Sequence, residues 1–385
     1  MKQAAILFMI IQFFMPMEKK AEENTKSVTE IFRELAAHTF HPLNEDNSMT
    51  IDKDLNTDGI AGLDNNDWEI RFLAVRDLVR VGTDETDAIT EGLHHSSPHV
   101  RQVSAKALGI LRATEAITDL EKVIENDSIA VVRSQAAIAL GQMEAKQSLE
   151  FLKKVVENDP SKDVRHQCEL AIYQIENKMG VTAKNLKAWK SLDETTFETV
   201  KTGNAAPDFQ LEDTEGITWQ LSQFKNKKWV ALIWVFADWC PVCHGEFHDL
   251  MEMKDDFGKA GVQVFTLEMH DTYRGRVMVG KELEPEYWFA EESFKDAYTN
   301  RIWWPHLTDC AGAVGAKFGA DPMAFAVHAE YINRPTTVII DPDGIIRFIY
   351  PGTFWGDRPT IEETLEMIKN EQFDFEHPKK LKPGN

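Results

Sequence analysis

Cysteine is scarce in this chain: four in 385 residues, at Cys168, Cys240, Cys243 and Cys310. So few cannot staple a disulfide scaffold of this length, and only one pair lies close together. Positive charge is scarce too. Lys and Arg number 42 against 63 Asp and Glu, a formal net charge of -21, and no basic block interleaved with aromatics offsets it, which argues against nucleic acid as a partner. Long apolar runs are also missing. The run from Ala4 to Met15, within MKQAAILFMIIQFFMPMEKK, falls short of the roughly 20 residues a spanning helix needs, and nothing downstream is long and apolar enough to cross a bilayer. With Lys2 before it and Glu18, Lys19 and Lys20 after it, the run fits a signal-peptide core over 1–17 and predicts export, without a small-x-small cleavage pattern or a lipobox cysteine. What remains, 43% hydrophobic and 10% aromatic, suffices for two or three packed domains.

The first of these is a repeat array. Arg71, Arg101, Arg133 and Arg165 recur at spacings of 30, 32 and 32, each behind Ile or Val, and a fixed period in this range marks a solenoid. VRQVSAKALG and VRSQAAIALG align Ala105 with Ala137, Leu108 with Leu140 and Gly109 with Gly141, and LEKVIEND at 120–127 returns as LKKVVEND at 152–159. Val100, Val103, Leu108 and Leu111 fall at helical spacing behind Ser97-Pro98, an N-cap followed by proline at N1. Residues 66–180 resemble HEAT-type repeats of the PBS-lyase kind, which implies an α-solenoid with degenerate end copies as caps. The arginines are expected to join adjacent units as side-chain ladders. Cys168, where other copies carry Ala74, Ser104 and Ala136, is expected to be a small packing residue. The array predicts a docking surface for a protein the sequence does not identify. Ahead of it, 18–65 reads as a polar linker with a short helix. There Asp54, Asn56, Asp58 and Gly59 follow the first half of a calcium loop, but Ala61 and Asn65 break the pattern, so a solvated acidic linker is expected and no metal.

Beyond a linker at 181–203, strands alternate with helices. WVALIWVFA at 229–237 reads as a strand buried on both faces, and Cys240 then opens a helix running through Glu246, Phe247, Leu250 and Met251. VQVFTLE at 262–268 is the next strand. TTVIID and IIRFIY flank the turn Asp341-Pro342-Asp343-Gly344 as a hairpin, a helix spans Thr360 to Lys369, and 372–385 is a polar tail. A cysteine at a strand-to-helix junction meets free backbone amides and the positive end of the helix dipole, which favours its thiolate. Cys243, one turn on, can then resolve a mixed disulfide formed at Cys240. A zinc site would need four ligands, and beyond His244 and His248 no second pair exists; no cofactor is expected.

Residues 204–371 resemble the thioredoxin-fold redoxins, the group holding the TlpA-like thiol-disulfide oxidoreductases and the AhpC/TSA peroxiredoxins. The resemblance rests on APDFQLEDTEG at 206–216, LSQF at 221–224, the strand and FADWCPVCHGE, WPHLTDCAGAVGAKFG at 304–319 and NRPTTVIIDPDG at 333–344. It implies that Cys240 attacks and Cys243 resolves, that Pro335 is a cis-proline presenting backbone to the partner, and that Glu246 shuttles a proton to Cys243. It also places Arg334 where peroxiredoxins carry their second-site arginine, to orient a partner's carboxylate or pair with Glu246. The peroxidase loop Pro-x-x-x-Thr-x-x-Cys is absent, since Ile233 and Ala237 occupy the Pro and Thr positions. The expectation is therefore a thiol-disulfide oxidoreductase acting on protein thiols or disulfides. A peroxidase using Cys240 and a non-enzymatic docking protein are the alternatives. Cys310 is expected to be structural, and the insertion at 272–303 to line the substrate side.

Overall fold

The computed structural model describes residues 26–37, 68–282, 302–352 and 357–375; the expected leader at 1–17 and the acidic loop at 54–65 lie outside them. A short helix, α1 (Val28–Ala36), closed by a Ser27–Glu30 capping box, packs on α2 (Trp68–Val81). The solenoid continues through α3 (Thr86–Glu91), α4 (Pro98–Leu111), α5 (Ile117–Asn126), α6 (Ala130–Met143), α7 (Leu149–Asn158) and α8 (Lys162–Glu176). The 32-residue period is visible as packing. Gly109 and Gly141 stand where the next helix crosses closely: a Cβ on Gly109 would lie 2.4 Å from Gln142 Oε1 and 2.9 Å from Ala139 Cα, and one on Gly141 2.5 Å from Gln174 Oε1 and 3.0 Å from Ala171 Cα. Gly109→Ala is accordingly expected to destabilise by about 1–3 kcal/mol, because backbone as well as side chain must shift; thermal unfolding beside wild type checks this.

Three of the four repeat arginines form the expected ladder. Arg101 is bidentate to Asp127 (2.6 and 3.0 Å) and Arg133 to Asp159 (3.0 and 3.0 Å), each tying a helix to the loop ahead of the next unit. Arg165 donates to the Asp159 carbonyl at 2.6 Å. Cys168 is fully buried among these helices. The segment expected to be a linker is instead part of the array: α9 (Ala183–Lys190) carries Trp189 onto Phe72 (centroids 5.3 Å apart), and Phe197 packs on Trp68 and Phe72. Three bulky apolar residues at 189, 192 and 197 need a surface to bury against, and the open end of α2 supplies it.

The second half is a thioredoxin-like α/β domain. Its strands are β1 (Gln210–Asp213), β2 (Thr218–Gln220), β3 (Trp229–Trp234), β4 (Val262–Glu268) and β5 (His306–Thr308). A hairpin of β6 (Phe325–Val327) and β7 (Glu330–Ile332) follows, then β8 (Thr336–Ile340) and β9 (Ile346–Pro351). Seven of them form one sheet in the order β2-β1-β5-β4-β3-β8-β9, with β3, β4 and β5 parallel and the outer pairings antiparallel. Central β3 pairs Trp234 with Leu267 on one side and Thr336 on the other, so its C-terminal end opens between two strands. There α10 (Pro241–Glu252) begins, followed by α11 (Lys254–Lys259). Helices α12 (Thr272–Met278), α13 (Ala313–Lys317) and α14 (Ile361–Asn370) complete the domain. Of the insertion at 272–303, the first turns are α12, and 283–301 lie outside the described residues.

Candidate active site

Cys240 is the N-cap of α10, with Pro241 at N1, and its Sγ accepts from the Cys243 backbone N–H at 3.4 Å. That is the junction expected from the sequence, but the electrostatic result differs. Both cysteines are 0% exposed. Burial pushes the Cys240 thiol well above its ordinary value, and one long amide contact does not reverse this. Burial acts on Cys243 as well, yet there it is outweighed by the hydrogen bond from Cys240 and the charge of Arg358, which hold Cys243 below its ordinary value. The Cys243 sulfur accepts from Phe236 N (3.2 Å) and from Arg358 Nη2 (3.5 Å).

Arg358 escaped the sequence reading. It lies in DRPT just ahead of α14, which looks like a polar surface turn, but here its side chain is 1% exposed. It donates to both carboxylate oxygens of Glu246, with Nε–Oε1 at 2.8 Å, and to the Trp234 carbonyl at the end of β3. Glu246 therefore has Arg358 as its partner, and Arg358 in turn contacts the Cys243 sulfur. Burial pushes its carboxyl up against the pull of that guanidinium. His244 turns inward as well, with Nε2 2.7 Å from the Asp238 carbonyl oxygen.

Pro335 is placed differently from what the family resemblance implies, and of the two roles expected of Arg334 one, pairing with Glu246, does not occur. No cis peptide bond occurs among the described residues, so Pro335 is trans. Its carbonyl accepts from Gly352 N (2.7 Å), and Arg334 N donates to the Asp321 carbonyl (3.0 Å), so these backbone groups are already spent within the chain. Arg334 does not pair with Glu246. It donates to Asp321 Oδ2 (3.0 Å) and the Gly352 carbonyl (3.0 Å), and lies 5.3 Å from the Phe325 ring, bracing the base of the β6–β7 hairpin.

That hairpin packs on the residue preceding the dithiol. Trp239 meets His328 edge-on at 4.6 Å and donates Nε1–H to Glu330. His328 and Ala329 occupy the turn at φ 49° and 54°, a left-handed pair usually filled by Asn-Gly. The array holds this strained turn in place. Arg71, the one repeat arginine diverted from the ladder, donates to the Met323 carbonyl (2.8 Å) and lies 4.3 Å over the Tyr331 ring, while Asp163 reaches His328 at 3.2 Å. Arg71→Ala is expected to cost about 1–3 kcal/mol by stranding a buried carbonyl, and to speed alkylation of Cys240 about tenfold or more, corresponding to about 1.4 kcal/mol less protection; timed alkylation followed by mass spectrometry reads both Cys240 and Cys243.

A second buried ion cluster anchors the loop from β3 to α10. Arg274 of α12 is bidentate to Asp238 (2.5 and 2.6 Å) and also donates to Glu330 and to Gln167 of the array. Cys310 stands apart from the dithiol. It lines a cavity of about 50 Å³ between array and sheet domain with Lys106, Gln135, Asp271 and Glu330, and burial pushes its thiol up to about 12. Two sulfurs one helical turn apart, one of them beside a fixed cation, can form and break a disulfide.

Comparison with known proteins gives the same division of the chain. Residues 202–349 match the AhpC/TSA family model, 60–141 that of the HEAT repeats and 132–158 that of the PBS lyase HEAT-like repeat. A chloroplastic peroxiredoxin Q from Populus jackii is 25% identical over 189 residues, 49% of this chain and 78% of the relative. The thiol-disulfide oxidoreductase ResA of Geobacillus thermodenitrificans is 28% identical over 170 residues, 44% and 79% of the two chains. The thiol:disulfide interchange protein DsbE of Vibrio cholerae is 26% identical over 162 residues, 42% and 70%. The chain thus carries an AhpC/TSA-family redoxin domain at 202–349, preceded by HEAT-type repeats, and its relatives through that domain are oxidoreductases.

Proposed function

We propose that the protein is a thiol-disulfide oxidoreductase in which Cys240 forms the mixed disulfide and Cys243 resolves it. The observation that carries this reading is the placement of Cys243: one turn from Cys240, in hydrogen-bond contact with it, and with two further donors on its sulfur, one of them a guanidinium. Ala237, fully buried two residues ahead of Trp239, supplies no hydroxyl to orient a peroxide. Protein disulfides are the proposed substrates, the Lys2–Lys20 layout supports an exported setting, and docking of a further protein on the array belongs to the same proposal. Stopped-flow reaction of the reduced protein with a mixed-disulfide peptide and, separately, with hydrogen peroxide tests it. Fast peptide exchange with slow peroxide consumption is expected. The complete burial of both thiols favours a second reading, a peroxidase at Cys240, since a small oxidant reaches a closed site more readily than a peptide; peroxide consumption faster than peptide exchange would establish it.

A further inference from the structure

We propose that the β6–β7 hairpin is a lid over the dithiol and that the repeat array is the clasp holding it shut. The proposal rests on the redox reading of Cys240, which any substrate must reach although the residue is 0% exposed. Three hairpin residues seat on the segment that leads into it. Phe325 meets the Phe236 ring at 5.5 Å, His328 meets Trp239 at 4.6 Å, and Glu330 accepts the Trp239 indole N–H. Strands β6 and β7 pair with each other as a separate two-stranded sheet, an arrangement marginal on its own in water. Its backbone is strained as well. Met323, His328 and Ala329 stand at φ 59°, 49° and 54°, a left-handed conformation that persists in residues other than glycine only where the surroundings enforce it.

The array supplies contacts that land on two of these strained positions. Arg71 of α2 donates to the Met323 carbonyl at 2.8 Å and covers the Tyr331 ring, and Asp163 of α8 reaches His328 at 3.2 Å. Domain interfaces held by polar contacts of this kind part more readily than large apolar ones. The base of the hairpin is secured differently, within the sheet domain. Asn333 donates to the Val235 carbonyl at 2.8 Å, and Arg334 holds Asp321 through both side chain and backbone, at 3.0 Å each. The tip can therefore lift while the base stays, uncovering Trp239 and then Cys240. The array thus sets the fraction of molecules in which Cys240 can be reached, and the rate of any chemistry there scales with that fraction.

Timed alkylation of the reduced full-length chain with iodoacetamide, each cysteine followed by mass spectrometry, tests the clasp. It needs no disulfide substrate, so its outcome is separate from that of the peptide-exchange experiment. Cys168, buried within the array, and Cys310, in the cavity between array and sheet domain, report unfolding or wholesale separation of the domains. Wild type should label slowly at Cys240. Arg71→Ala should speed that labelling about tenfold or more. Asp163→Ala, a milder change that guards against misfolding of the first variant, should speed it about two- to tenfold, the range for one hydrogen bond. Cys168 and Cys310 should keep their wild-type rates in both. Arg101→Ala is the control, since it breaks the Arg101–Asp127 pair inside the array, and it should leave Cys240 at the wild-type rate. Four results would overturn the proposal: wild-type Cys240 labelling as fast as in the urea-unfolded chain, a Cys240 rate unchanged in both hairpin-side variants, Cys168 and Cys310 accelerating in parallel with Cys240, or equal acceleration of Cys240 in Arg101→Ala.

Discussion

Cys240→Ser should abolish exchange with a mixed-disulfide peptide, a loss of at least about three orders of magnitude, because a hydroxyl near neutral pH does not displace sulfur at a useful rate. Cys243→Ser should behave differently. The first step persists, the second cannot occur, and the protein accumulates as a covalent adduct at Cys240 that mass spectrometry detects. The difference follows from position: Cys240 caps α10, whereas the Cys243 sulfur, one turn on, is held by the Phe236 amide and Arg358. Adduct formation at Cys243 in Cys240→Ser at a wild-type rate would mean that the two roles are reversed.

Arg274→Leu should have the largest effect on stability. The guanidinium satisfies Asp238 with two hydrogen bonds, reaches Glu330 and bridges to Gln167 of the array, all with buried partners. Removing one side of such a cluster leaves carboxylates buried without a counter-charge, which costs about 3–5 kcal/mol. The pH dependence has a definite sign. Burial alone would raise Asp238, but Arg274 outweighs it and holds the carboxyl at about 2, below the ordinary value of about 3.9. A depressed folded value means that the pair's contribution is complete above about pH 4 and is lost as pH falls through about 2. Wild type should therefore lose stability across that acid window, and Arg274→Leu should show a much shallower decline there because its Asp238 no longer ionises favourably. Denaturant unfolding at a series of pH values reads both effects. Equal acid sensitivity in the two proteins would remove Asp238 from the explanation.

Much of this architecture could be read from residue spacing. A 32-residue recurrence with Gly109 and Gly141 in register reports helix crossings that any solenoid must make, and the run at 229–237 reports a central strand. The dithiol was legible because its two members lie within one turn. Arg358 was not, since 115 residues separate it from Cys243 and its DRPT context has the polarity of a surface turn. The diversion of Arg71 was equally hidden: its spacing matches the ladder arginines, but Ser97 stands at the offset where Arg101 and Arg133 have Asp127 and Asp159, and Arg71 instead reaches Met323, 252 residues away. Local pattern also misplaced 181–203, because Trp189 and Phe197 pack on a helix more than a hundred residues earlier. Pro335 shows the opposite limit. Its cis geometry was inferred from resemblance, and Gly352 and Asp321 give the surrounding backbone other hydrogen bonds.

The most direct test of the dithiol account is equilibration of the full-length protein in graded mixtures of reduced and oxidised glutathione, with the thiols of all four cysteines assigned by mass spectrometry. One two-electron transition is expected, with Cys240 and Cys243 disappearing together into a disulfide at a potential within the roughly -270 to -120 mV spanned by known dithiol exchangers, while Cys168 and Cys310 stay reduced. If Cys240 and Cys243 remained thiols throughout, or if Cys240 paired with Cys310 instead, the account would be contradicted.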